Sequence, residues 1–172
     1  MYSKAVSLTA CVLALAAAAG LSGCGYTFTA KTPYDLPEDI SAVYLGRVDN
    51  PSIETWLEPK LRNELRDELT RRGNITWADE PEAEGRLELT VHNFRSGTKL
   101  EDPRETTVRS EMILRMELTL FSAKSRERLA GSGTVSARES FNPQDRRDEL
   151  AARDRIVELA VELAVQRLNQ NF

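Results

Sequence analysis

The segment from Glu111 to Leu120 alternates. Met112, Leu114, Met116, Leu118 and Leu120 share one side, and Glu111, Arg115, Glu117 and Thr119 the other. Successive strand side chains point to opposite faces, so this is a strand with one dry face and one wet face. A sheet with one apolar face needs a second layer over that face to be stable in water. The remaining chain must therefore supply more strands and a cover.

Two segments have the period of a cover. Ile53, Leu57, Leu61, Leu65 and Leu69 recur every four residues. Glu58, Glu64, Asp67 and Glu68 mingle with Arg62, Arg66, Arg71 and Arg72 on the other sides. This predicts an amphipathic helix from roughly Glu58 to Arg72. Pro59 either sits in its first turn, with Ser52 to Leu57 as a separate turn, or kinks a longer helix. Gly73-Asn74 reads as its C-terminal cap. A second helix is expected from Gln144 nearly to the end, with Asn142-Pro143 as cap and first helical residue. Its stripe is Leu150, Val157, Ala160, Val161, Ala164 and Leu168, broadened by Ile156, Leu159 and Leu163.

The further strands are Ile40 to Val48, a short edge strand at Ile75-Thr76-Trp77, Arg86 to Phe94, and Leu129 to Phe141. In the last of these Gly131 and Gly133 point to a bulge or a close backbone approach. Ser96 to Thr106 reads as the loop between two long antiparallel strands, and Ser122 to Arg128 as a charged hairpin loop. The expected fold is α+β: a two-layer sandwich with two helices packed on one face of a roughly four-stranded mixed sheet.

The N-terminus reads differently. Lys4 precedes an apolar run, Ala5 to Gly20, which leads to Leu21-Ser22-Gly23-Cys24. A positive start, a short apolar core and a small-residue exit describe a secretory signal; the competing reading, a membrane span, calls for a longer run. The tetrad resembles the lipobox of bacterial lipoproteins, in which cleavage before the Cys exposes it for lipid attachment. An ordinary signal peptide would leave a free thiol there instead. On the lipobox reading, residues 1–23 are removed and 24–172 form one domain of 149 residues. Cys11 goes with the signal, so Cys24 keeps no disulfide partner and no Cys-based metal cluster can form. Gly25-Tyr26-Thr27-Phe28 is then a short strand close to the anchor, followed by an extended, proline-containing connector, Thr32 to Pro37.

Chemistry is sparse. His92 is the one histidine and falls on the polar face of a strand, which removes His-cluster metal sites. No Gly-x-Ser-x-Gly elbow or phosphate loop occurs. Spacing alone leaves a carboxylate pair open, although most Glu residues fall on helix faces and in turns. No enzyme activity, metal or cofactor is expected. Without Lys4, 22 basic side chains face 27 acidic ones, a balance that gives nucleic-acid binding no support. Binding remains, and the loops carry its basic residues. Lys99 and Arg104 belong to one loop, and Lys124, Arg126 and Arg128 to the other, at opposite ends of the central strand. Such side chains can engage phosphates or carboxylates.

Leu21-Ser22-Gly23-Cys24-Gly25-Tyr26-Thr27-Phe28, Leu36-Pro37 before a strand ending in Val48-Asp49-Asn50, Ala78-Asp79 after a short strand, and the closing helix together resemble the LPS-assembly lipoprotein (LptE) family of Gram-negative bacteria. The resemblance implies a non-catalytic lipoprotein, anchored through Cys24 in the periplasmic side of the outer membrane. It also implies an LptD-type β-barrel partner, which the protein would plug and help to assemble, and a part in delivering lipopolysaccharide to the surface. Gly25 is not the Asp associated with inner-membrane retention in enteric bacteria. Lys99, Arg104, Lys124, Arg126 and Arg128 are candidates for lipopolysaccharide contact by charge and loop position. The alternative is a lipoprotein regulator or auxiliary subunit of another envelope machine, such as a cell-wall synthase or lipid transporter. The short span between Cys24 and the first expected strand favours a membrane-proximal partner.

Overall fold

A computed structural model describes residues 40–73, 75–99 and 109–170, with the side chains of 98 and 99 outside that description. Cys24, the expected strand at 25–28, the connector at 32–37, Asn74 and Arg104 lie outside the described residues. The elements run β1 (Ala42–Asp49), α1 (Leu57–Arg72), β2 (Thr76–Trp77), β3 (Gly85–Lys99), β4 (Arg109–Ser122), β5 (Arg128–Gly131), β6 (Val135–Phe141) and α2 (Arg146–Gln170). The strands form one open sheet ordered β2-β1-β3-β4, with β5 and β6 each pairing β4. β1 is parallel to β2 and β3, and the other pairs are antiparallel.

The two-layer α+β sandwich is as expected, but the sheet has six strands rather than about four. Two come from one predicted strand: residues 129–141 divide into β5 and β6 at Ser132–Thr134. The break is held by hydrogen bonds. Ser132 Oγ accepts the Leu118 N–H at 2.9 Å and donates to the Gly133 carbonyl at 2.7 Å. A buried hydroxyl is thereby satisfied, and a backbone N–H of β4 keeps a partner where the ladder fails.

The apolar face of β4 is buried along its whole length, together with Leu87, Leu89 and Val91 of β3. In α1, Leu57, Leu61, Leu65 and Leu69 are fully buried. Pro59 is in the first turn, where its missing N–H has no intrahelical acceptor, and the helix is one element. Ile53 does not join that stripe. It lies in the turn before the helix and is 94% exposed. The turn is fastened by its own polar groups: Ser52 N–H and Oγ–H donate to Asn50 Oδ1, and Asn50 Nδ2 donates to the Glu54 carbonyl. Gly73 ends α1 at φ 78°, a conformation costing most other residues about 1 kcal/mol or more.

In α2 the buried stripe is Ala152, Ile156, Val157, Ala160, Val161, Ala164, Val165 and Leu168. Leu150 and Leu159, expected in the core, are 48% and 37% exposed. The start of α2 also differs. Pro143 lies in a turn before the helix, and Asp145 caps it by accepting the Arg147 N–H at 2.8 Å. β3 reaches Lys99, so residues 96–99, read as loop, belong to the strand. The glycine that opens β3 permits tight packing: a Cβ on Gly85 would lie 3.0 to 3.1 Å from Ile40, Leu120 and Val43.

Candidate functional site

Both helices cover the same side of the sheet, which leaves the other side of β1, β3, β4 and β6 as a broad charged surface. Its layout follows from the pleat. Along β4 the outward residues are Arg109, Glu111, Ile113, Arg115, Glu117, Thr119 and Phe121, because those between them are buried. Register then fixes the rows. Arg95 and Arg138 flank Ile113, Asn93 and Ser136 flank Arg115, and Thr90 faces Glu117. Neighbouring strands stand about 4.8 Å apart, so the members of a row touch or nearly touch.

The half nearest the β4–β5 hairpin is closed by internal pairs. Arg128 meets Glu117 at 2.9 Å, and His92 Nε2 lies 3.5 Å from the other oxygen of that carboxylate. Arg86 reaches Glu88 at 3.0 Å and lies 5.2 Å above the Phe121 ring. Arg47 and Asp49 pair at 3.0 Å. His92 occupies a bulge between Val91 and Asn93, half-exposed, as its place on the polar face predicts. The bulge shifts the outward positions of β3 by one residue, which brings Arg95 to the open face.

The opposite half is different. Arg95 and Arg115 have no ion-pair partner among the described residues, and Arg138 has only a contact of 4.0 Å with Glu111. Arg109 adds to the positive charge felt by Asp148 of α2. That carboxyl is held below its usual range first by the Asn142 N–H and then by Arg155 and Arg109.

The helix side carries grooves rather than a flat face. One, of about 510 Å³, is lined by Glu64, Asp67, Thr70, Arg71 and Glu158. Burial, and then the charge of Glu158, push the Glu64 carboxyl above its usual range. Lys60 and Asp154 form an ion pair beside it. Among the described residues, no group of three or more His, Cys, Asp or Glu is placed to hold a metal ion. No helix among them is long and apolar enough to cross a membrane.

The sequence model of LptE, lipopolysaccharide assembly, matches residues 40–168, from the start of β1 to the last turns of α2. The chain belongs to the LptE family. Comparison with curated proteins gives no match. Solved structures share the LptE-like fold at low identity. A minor lipoprotein from Acinetobacter baumannii superposes with a TM-score of 0.53 at 11% identity, over 78% of this chain and 94% of its own. A Chlamydia trachomatis protein gives 0.54 at 10%, over 77% and 97%. A Xanthomonas campestris protein gives 0.56 at 10%, over 77% and 86%. These likenesses concern the fold. Family membership itself suggests an envelope lipoprotein in lipopolysaccharide assembly, and the LptE family is non-catalytic.

Against this LptE fold the basic residues singled out from sequence separate. Lys99 ends β3 opposite Arg109, at the far end of the long strand pair from Lys124, Arg126 and Arg128. Lys124 and Arg126 are exposed at the hairpin, where Arg126 adopts φ 59°. Arg128 is not at the tip. It turns back onto the sheet to Glu117, over Gly131, where any Cβ would overlap its guanidinium. Arg95 and Arg138 lie within strands, where loop composition gives no sign of them. Arg115 was already legible as a wet-face residue from the alternation.

Proposed function

We propose that this chain is a lipoprotein anchored through Cys24 in the outer membrane. There it partners an LptD-type β-barrel, occupies its lumen, and assists barrel assembly and delivery of lipopolysaccharide to the cell surface. On this reading residues 1–23 are a lipoprotein signal peptide removed by cleavage before Cys24, and 24–172 are the mature domain. The observation that carries the reading is the family match across residues 40–168, which takes in nearly all of the described fold. The architecture agrees with it: the helices bury one sheet face and leave the other polar and free for a partner. Lys99, Arg104, Lys124 and Arg126 are the proposed contacts for anionic groups of lipopolysaccharide. Arg128, already paired with Glu117, is the weakest of the five.

Affinity purification of the tagged chain from its own envelopes, after mild detergent extraction, tests the partnership. A large outer-membrane barrel recovered in near-equal amount is the expected outcome. Recovery of a cell-wall synthase or a lipid transporter in its place contradicts it.

A further inference from the structure

We propose that the open half of the helix-free sheet face, where Arg95, Arg115 and Arg138 surround Ile113, is a docking surface for a protein wall rich in carboxylates. The inference deepens the proposed partnership and rests on it, since it names the surface used and the chemistry of the matching wall.

Three observations carry it. First, the chain as a whole is acidic, with a formal net charge of −4, yet this patch collects three arginines, with Glu111 only 4.0 Å from Arg138 and the neighbouring Glu117 already paired with Arg128. Second, its arginines are available. In the adjoining half the charged groups are spent on one another, through Arg128–Glu117, Arg86–Glu88 and Arg47–Asp49. Arg95 and Arg115 have no ion-pair partner among the described residues, and Arg138, 61% exposed, has only the 4.0 Å contact. Third, the register spreads the charges instead of converging them. Arg95 and Arg138 lie on either side of Ile113, roughly 10 Å apart by strand spacing, and Arg115 lies one pleat further along β4.

This spread decides the class of occupant. A phosphate needs several donors converging on one point, which three guanidinia spread over separate strands and pleats do not provide. A flat row of separated guanidinia around an apolar centre matches a second flat surface, with carboxylates at strand spacing and an apolar residue between them. Electrostatic complementarity of this kind mainly sets orientation and partner choice, and arginine is enriched where such surfaces meet.

The test compares the full-length tagged chain with its R95E/R115E/R138E variant, both purified from envelopes in mild detergent. The variant is expected to melt at the wild-type temperature, to stay membrane-bound, and to recover at least tenfold less LptD-type barrel. If the triple reversal does not fold, R95S/R115S/R138S is read the same way, with a several-fold loss expected. Barrel recovery equal to wild type overturns the inference and leaves the partnership standing. So does a variant that keeps the barrel and loses only binding to lipopolysaccharide micelles, because the arginines would then serve phosphates. Absence of any barrel with the wild-type chain overturns the partnership and this inference with it.

Discussion

Exchanging Cys24 for alanine is expected to abolish incorporation of labelled palmitate and to empty the outer-membrane fraction of this protein. Each buried methylene contributes about 0.8 kcal/mol, and one myristoyl chain alone binds a bilayer only with a constant of about 10⁴ M⁻¹. Several chains on one residue are needed for lasting attachment, and on the proposed lipobox reading Cys24 is the residue that carries them. Without that thiol no helix among the described residues is apolar enough to substitute as a span. Unchanged palmitate label and outer-membrane recovery in the alanine variant would remove the anchor from the account.

The second large effect is in the core. Leu118→Ala is expected to destabilise the domain by about 2 to 5 kcal/mol, through lost burial and the cavity left behind. In thermal unfolding this is a fall in Tm on the order of 10 °C. Leu118 is completely buried in the centre of β4, between the sheet and the helices, and its N–H is held by Ser132. Leu150→Ala is the matching control. Leu150 was expected in the core from helical period but is half-exposed, so its loss should cost no more than about 0.5 kcal/mol. Equal destabilisation by the two substitutions would contradict the packing described.

That pair also shows how far the sequence could be read. β4 was legible because Met112, Leu114, Met116, Leu118 and Leu120 fall on one side and, Ile113 apart, polar residues separate them. The leucines of α1 were legible for the same reason. Helical period, however, reports which side of a helix faces inward and not how far the helix overlaps the sheet. Ile53 and Leu150 keep the period of their neighbours but lie where the covered area ends, and Leu159 lies at the margin of the α2 stripe. The split between β5 and β6 had a signal in Gly131 and Gly133, although its cause, Ser132 capping Leu118, is a tertiary hydrogen bond that no local pattern encodes.

The surface was harder to read than the core. A bulge at His92 moves Arg95 onto the open face, and one residue of slip changes which face every later side chain occupies. Arg138 alternates with Ala137 and Glu139 in a strand whose inward side carries that glutamate, held by Arg155 at 2.6 Å. Its face could not be told from polarity alone. Loop composition drew attention to Lys124 and Arg126, while the unpaired arginines lay inside strands.

The central claim is that this chain serves lipopolysaccharide delivery, and depletion in its native host tests it most directly. Surface lipopolysaccharide, labelled from outside intact cells, is measured as the protein is withdrawn. The account predicts that newly made lipopolysaccharide stops reaching the surface while its synthesis continues, and that the wild-type chain restores it where the Cys24→Ala chain does not. Undiminished arrival at the surface after full depletion would contradict it.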